Sequence, residues 1–149
     1  MDTIDLSASK PLDSVVIDLC YPGTTKPTGW KIELSGPAHP QTVALADEAS
    51  REMIERQDAI EFAQVNGRKW KGDQQSAADR RRKNVGYVCR RIIGWSPNPT
   101  FSFVSPDPIA FSAATATELF LRPDMAGFFG QITDYLNSER AFMPPSEKI

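Results

Sequence analysis

Two early segments of the chain alternate apolar and polar positions at a period of two, the spacing of β-strands with one buried face. Every second residue from Val15 to Tyr21 is apolar, and so is every second residue from Trp30 to Leu34. Residues 22–29 between them have proline and glycine near both ends, which favours a hairpin loop. Because an isolated hairpin is only marginally stable in water, its apolar face must be covered by the elements that follow.

Apolar residues recur at helical spacing in the middle of the chain. The first predicted helix begins at Pro40, a residue that suits a first helical turn, and extends to about Phe62. Its apolar residues at roughly helical spacing are Leu45, Ala49, Met53 and Ile60. A second helix is predicted from about Gln75 to Ile93, with Gly94 as its C-terminal cap.

The last third of the chain predicts an irregular connection and then two more helices. Residues 95–108 contain four prolines and predict a loop, with a short strand at 101–104. Ser112 has the character of a helix N-cap, and Pro123 begins a last, strongly amphipathic helix. The predicted fold class is therefore α+β, mainly α: an N-terminal β-hairpin packed on about four helices.

Length and composition are those of one globular domain. The chain has 149 residues, of which 40% are hydrophobic and 24% charged, so it can bury a core without a metal or a disulfide. We expect a flexible N-terminal arm at residues 1–13, a single domain at 14–143 and a disordered tail at 144–149. Cys20 and Cys89 are expected to be buried free thiols, since one pair does not make a disulfide framework.

The residue types that catalysis or metal binding would need are scarce. His39 is the single histidine, and with two distant cysteines it cannot supply the four ligands of a zinc site. Acidic residues of the first helix alternate with basic ones, which is typical of a solvated face. The sequence therefore predicts a binding protein with no enzymatic activity and no cofactor. It has neither a secretory signal nor an apolar run of about 18 residues, which predicts a cytoplasmic protein outside the membrane.

Basic residues concentrate between positions 68 and 91. This segment carries nine basic and two acidic residues, a charge of +7 (9 − 2), against a chain total of −2. Arg80, Lys83, Tyr87 and Arg91 would form one helical stripe that could contact phosphates, the chain's own acids or an acidic partner. Because four consecutive basic residues wrap around a helix, nucleic acid is the less favoured of these partners.

A series of short pieces occurs in a recognisable order. The pieces are Pro27-Thr28-Gly29-Trp30, Ser35-Gly36-Pro37-Ala38-His39-Pro40, Ile93-Gly94-Trp95, Phe103, Phe111-Ser112 and Ser138-Glu139-Arg140-Ala141-Phe142. Together, over about residues 14–143, they resemble the tail assembly chaperones of long-tailed bacteriophages. Corresponding places in that family often read Gly-Pro-x-His-Pro, Val-Gly-Trp, Phe-Ser-Pro-Glu-Asn and Asp-Arg-Ala-x-Phe. Ala113 and Ala114 stand where the family prefers Pro-Glu, and residues 57–79 match none of it.

The resemblance implies a role in assembling the phage tail. Such chaperones coat the long, helical, aggregation-prone tape measure protein before tail tube subunits polymerise around it, and they are then displaced. It follows that the expected partner is the tape measure protein, met in the host cytoplasm. Self-association of this chain is also expected, and the major tail protein is a further candidate partner. Two alternatives stay open: a head–tail or tail-tip component retained in the virion, and a nucleic-acid-binding regulator that uses residues 68–91.

Two regions supply candidate contact residues for such a partner. Trp70 lies in a basic, glycine-flanked turn, where it is either an exposed contact residue or partly buried under the helices. The last helix offers an apolar face made of Phe128, Phe129, Ile132 and Leu136. The alternative for that face is the hydrophobic core.

Overall fold

A computed structural model describes residues 2–67, 76–138 and 142–143. Within these ranges the chain forms a three-stranded antiparallel sheet and four α-helices, which confirms the predicted α+β, mainly α class. The elements are β1 (Ser14–Cys20), β2 (Pro27–Ser35), α1 (Pro40–Val65), α2 (Ala77–Cys89), β3 (Ile92–Ser96), α3 (Ala113–Phe120) and α4 (Ala126–Leu136), with 3-10 turns at Ser7–Ser9 and Pro123–Met125. None of the described helices is apolar and long enough to cross a membrane.

The sheet begins with the hairpin that alternation predicts. β1 and β2 pair antiparallel, with Ile17 opposite Ile32 and Val15 opposite Leu34. Ile17, Leu19 and Ile32 are buried, as period-two spacing requires of side chains on the core face. The helices cover this face, and the core lies between them and the sheet.

The third strand contains residues that the sequence assigns to the end of the second helix, so the predicted end of that helix is wrong. α2 ends at Cys89, and Ile92–Ser96 pairs antiparallel with the second edge of β2 instead of continuing the helix. Gly94 is therefore a strand residue opposite Glu33, not a helix cap. The physical reason is that β-branched Ile92 and its neighbour fit a pleated surface better than a helix, and pairing satisfies the backbone of β2 on that side.

The proline-rich connection contains a turn where the sequence predicts a short strand. Phe101 and Ser105 form an isolated bridge that closes over the residues between them, and the Val104 amide donates to the Phe101 carbonyl oxygen at 2.8 Å. Ile109 then donates its amide to the Pro99 carbonyl oxygen, also at 2.8 Å. Backbone hydrogen bonds inside the loop therefore replace the ladder that a strand would need.

Side chains cap three of the helices at their N-termini. Ser112 accepts a hydrogen bond from the Thr115 amide at 3.0 Å, which confirms its predicted capping role. His39, the single histidine, caps α1 because its Nδ1 accepts from the Gln41 amide at 3.1 Å. Ser76 does the same for α2.

The core is built around Trp30 and Trp95, both of which are buried as predicted. Their rings meet edge to face with centroids 5.4 Å apart. Trp95 donates its Nε1–H to the Ile109 carbonyl oxygen at 3.0 Å, whereas the buried Nε1 of Trp30 has no hydrogen-bond partner among the described residues. Cys89 is buried and Cys20 half-buried, and both are free thiols.

Hydrogen bonds join the two ends of the domain. Leu12, near the end of the predicted N-terminal arm, donates its amide to the Phe142 carbonyl oxygen at 2.6 Å, and Gly36 donates to the Asp13 carbonyl oxygen at 2.7 Å. A Cβ at Gly36 would collide with the Leu12 carbonyl oxygen, so this crossing requires glycine. The predicted tail, residues 144–149, lies outside the described residues.

Candidate functional site

The predicted basic stripe is not a continuous exposed surface, because Arg91 does not lie on the same exposed helix face as the other residues. Lys83 and Tyr87 lie on α2, but Arg91 follows the end of the helix and is half-buried. Its Nη2 donates to the Ser35 carbonyl oxygen at 2.6 Å, and its guanidinium lies 5.7 Å from the centre of the Phe142 ring. Burial lowers the pKa of the Arg91 guanidinium.

Acidic residues of α1 pair with the basic residues of α2. The Glu52 carboxylate accepts from Lys83 Nζ at 2.8 Å and from the Tyr87 hydroxyl at 2.7 Å, and Glu48 lies 2.7 Å from Arg90 Nη2. These hydrogen bonds lower the pKa of both carboxyl groups and raise that of Lys83. At these two positions the predicted solvated face of α1 forms ion pairs with a basic neighbouring segment, while the Glu48 and Glu52 side chains stay 37% and 41% exposed.

Two other described basic residues of α2 also have partners within the chain. Arg82 pairs with Glu118 of α3, and Arg81 donates to the Leu121 carbonyl oxygen at 3.1 Å. Arg80 lies at the exposed start of the helix. Part of this basic charge, on Arg82, Lys83 and Arg90, therefore meets the chain's own acids, one of the three partners that the pattern allows. Trp70 and the basic residues at 68, 69 and 71 lie outside the described residues.

Most of the predicted face of α4 points into the core. Ile132 is completely buried, and the ring of Phe128 packs edge to face on Trp30 with centroids 5.6 Å apart. Phe129 packs on the ring of Phe120 at 5.7 Å. Phe128, Phe129 and Leu136 are half-buried against the core, and Leu136 also lines a surface groove, so α4 corresponds mainly to the core alternative.

Leu136 lines a shallow groove where α1, α2 and α4 meet. The groove has a volume of about 390 Å³, and Leu45 and Val88 contribute to its apolar wall. Leu45 is the single buried residue of α1, which means that the contact of α1 with the domain is short. Polar contacts at Glu48 and Glu52 complete this contact on the α2 side.

The second half of α1 exposes large apolar side chains. We call residues Met53–Val65 the arm. Relative exposure there is 71% for Met53, 61% for Ile54, 70% for Phe62 and 85% for Val65. Among the residues that the sequence places at helical spacing, Ala49 and Met53 are exposed and Ile60 is half-buried. At about 100° per residue, Ile54, Phe62 and Val65 lie on one side of the helix, whereas Met53 lies opposite Phe62. The arm thus exposes on one side three apolar side chains that ordinarily lie inside a protein.

Sequence reasoning missed the arm as a contact surface, although the sequence contains a signal for it. Apolar residues occur on more than one side of α1, since Val43 and Ile54 lie away from the side that contains Leu45. A helix that is apolar all round usually lies deep in a core. Because only Leu45 of α1 is buried, α1 is not a core helix, and its second apolar side is a candidate contact surface.

Comparison with known proteins adds no relative. No protein-family model matches the chain, and neither the curated proteins nor the solved structures yield a match. Within the described ranges, no group of three or more histidine, cysteine, aspartate or glutamate side chains is arranged to bind a metal ion. The arm is therefore the feature of the described surface from which a function can be argued.

Proposed function

We propose that this chain is a tail assembly chaperone that binds a helix of the tape measure protein and keeps it soluble before the tail tube polymerises. The observation that supports the proposal most directly is the arm, with Ile54, Phe62 and Val65 exposed on one side of the helix. A protein that covers the apolar face of a helix needs an accessible apolar surface of its own, and α1 offers that surface as a helix. The ordered sequence pieces supply the identity of the expected partner.

The size of the arm suits binding that is reversible. Complete burial of one large aliphatic or aromatic side chain contributes roughly 1.5–3 kcal/mol. The three that share one side of the arm, Ile54, Phe62 and Val65, would contribute on the order of 4.5–9 kcal/mol, from which association costs of about 4 kcal/mol or more must be subtracted. Each copy would therefore bind weakly, and many copies along a long partner would cover it while remaining displaceable by tube subunits.

The basic residues give less support to the nucleic-acid alternative. Lys83 and Arg90 pair with Glu52 and Glu48 of α1, and Arg82 pairs with Glu118. Phosphate binding would have to break these pairs before any counterion release could favour the complex. We therefore place the binding surface on the arm and not on α2.

Co-expression with the tape measure protein of the same genome tests the proposal. We expect the tape measure protein to become soluble and to co-purify with many copies of this chain. Ile54→Ser/Phe62→Ser should abolish both effects while leaving the melting temperature unchanged, because both side chains are exposed. The matched control is Val16→Ser/Tyr21→Ser, which removes two exposed apolar side chains from β1 and its end.

Three results would overturn the proposal. The first is a tape measure protein that stays insoluble beside folded wild-type chain. The second is an arm variant that binds as well as the control does. The third is recovery of this chain from purified virions in a fixed number of copies, which would favour a structural component of the particle.

A further inference from the structure

A regular pattern of apolar and acidic residues runs along the outer side of α1. Val43, Ile54 and Val65 are each eleven residues apart, and Asp47 and Asp58 follow the first two by four residues. Eleven residues are close to three turns of an α-helix, so these five positions lie on one nearly straight line. We call this line the outer stripe.

The outer stripe is accessible along its whole length. Val43 is 45% exposed, and exposure rises to 61% at Ile54 and 85% at Val65. Asp47 and Asp58 are exposed too. The stripe runs from Val43 to Val65, 22 steps of about 1.5 Å or about 33 Å in all. A partner that contacts all of it must itself be elongated, as a helix of similar length is.

The charges beside the stripe are mostly negative and uncompensated. α1 contains six acidic and two basic residues, a charge of −4 (2 − 6). Glu48 and Glu52 face α2, but Asp47 and Asp58 form no ion pair within the described residues. Glu61 adds a third acid on this side, against Arg51 at its margin. A partner surface carrying basic residues would complement this side of the helix.

A second copy of the chain fits the outer stripe poorly. In an antiparallel pair centred on Ile54, Asp47 would lie opposite Glu61 of the second copy. In a parallel pair, Asp47 and Asp58 would each approach the same residue of the other copy. Both arrangements place like charges beside the apolar contacts and are destabilised by them.

We infer that the outer stripe receives a helix of another protein that carries aliphatic residues at an eleven-residue spacing with Lys or Arg beside them. This inference rests on the proposed function, to which it adds the chemistry of the bound segment. It places self-association of the chain, where it occurs, on other surfaces. The acids then contribute to selectivity and the apolar residues to affinity.

Two designed peptides test the chemistry of the partner without the tape measure protein. Both are 25-residue helices with three leucines spaced eleven residues apart; one has lysine four residues after each of the first two leucines, and the other has glutamate there. We expect the full-length chain to bind the lysine peptide about tenfold more tightly in fluorescence anisotropy, and the preference to fall with salt. Asp47→Lys/Asp58→Lys should reverse the preference. The control Asp2→Lys/Asp107→Lys makes the same charge change away from α1 and should preserve it.

The same variants in the tape measure pull-down separate the inference from the proposed function. Loss of co-purification in Asp47→Lys/Asp58→Lys alone supports both. If this variant co-purifies with the tape measure protein as well as wild type does, and no peptide is preferred, the inference is wrong and the chaperone role is still supported. A peptide preference without tape measure binding supports the inference and overturns the role. If Ile54→Ser/Val65→Ser lowers the mass of an oligomer in sedimentation, a second copy occupies the stripe and the inference is wrong.

Discussion

The two core tryptophans should respond differently to the same substitution. Trp30→Phe and Trp95→Phe each shorten a buried aromatic side chain by the same atoms, so their cavity terms should be similar. They differ in the hydrogen bond of the indole. Trp95 donates Nε1–H to the Ile109 carbonyl oxygen at 3.0 Å, whereas the buried Nε1 of Trp30 has no acceptor among the described residues.

The size of the difference follows from these hydrogen bonds. Trp95→Phe loses one hydrogen bond, which costs about 1 kcal/mol net. Trp30→Phe removes a buried donor that lacks a partner, which relieves on the order of 1 kcal/mol or more. Trp95→Phe should therefore be less stable than Trp30→Phe by about 2 kcal/mol, or roughly 6 °C in melting temperature for a chain of this length.

Urea unfolding followed by far-ultraviolet circular dichroism measures this difference without relying on tryptophan fluorescence. Equal m-values in wild type and both variants would establish that the free energies of unfolding can be compared. A Trp30→Phe variant that is as unstable as Trp95→Phe, or more so, would refute the argument. In that case the ring contacts of Trp30 with its four aromatic neighbours outweigh the unpaired donor.

Three further predictions follow from the described contacts. Glu48→Gln/Glu52→Gln should speed amide exchange in the first half of α1. In wild type the same loosening should appear as pH falls through the lowered pKa values of these carboxyl groups. A carboxyl group whose pKa is lower in the folded than in the unfolded chain stabilises the fold while it is ionised, and this contribution is lost as pH falls through its folded-state pKa. Leu136→Asp should lower the free energy of unfolding by about 2 kcal/mol or more in urea denaturation, because the charge enters an apolar wall and contacts the core. Burial raises the pKa of the Cys89 thiol to about 11, so iodoacetamide at pH 8 should leave it unmodified until the chain unfolds, as peptide mass mapping would show.

The hairpin could be predicted from sequence because its alternation survives in the folded chain. Ile17 and Ile32 face each other on the core side, where period-two spacing places them. β3 could not be predicted in the same way. Its apolar residues, Ile92–Trp95, follow a helix directly and are too few to distinguish a strand from a last helical turn. The free second edge of β2 decides between them, and that edge exists only in the folded sheet.

The candidate surface was harder to predict than the fold. The pattern of α1 correctly indicates a helix that starts at Pro40, but it does not indicate where the domain stops beneath the helix. Met53 has the spacing of a core residue and is 71% exposed, because no element of the described part of the chain covers it. Burial depends on the length of α1 relative to its neighbours, which is a property of the packing and not of any local pattern.

The way in which α1 is attached suits the proposed binding and later release of a partner. Its apolar anchor is the single buried Leu45, and its other contacts include the ion pairs at Glu48 and Glu52. Ion pairs at a surface contribute little and weaken as salt rises, so the arm can change its angle to the domain at small free-energy cost. A helix that adjusts in this way can follow a long partner whose surface varies, and each copy can dissociate without unfolding the core around Trp30.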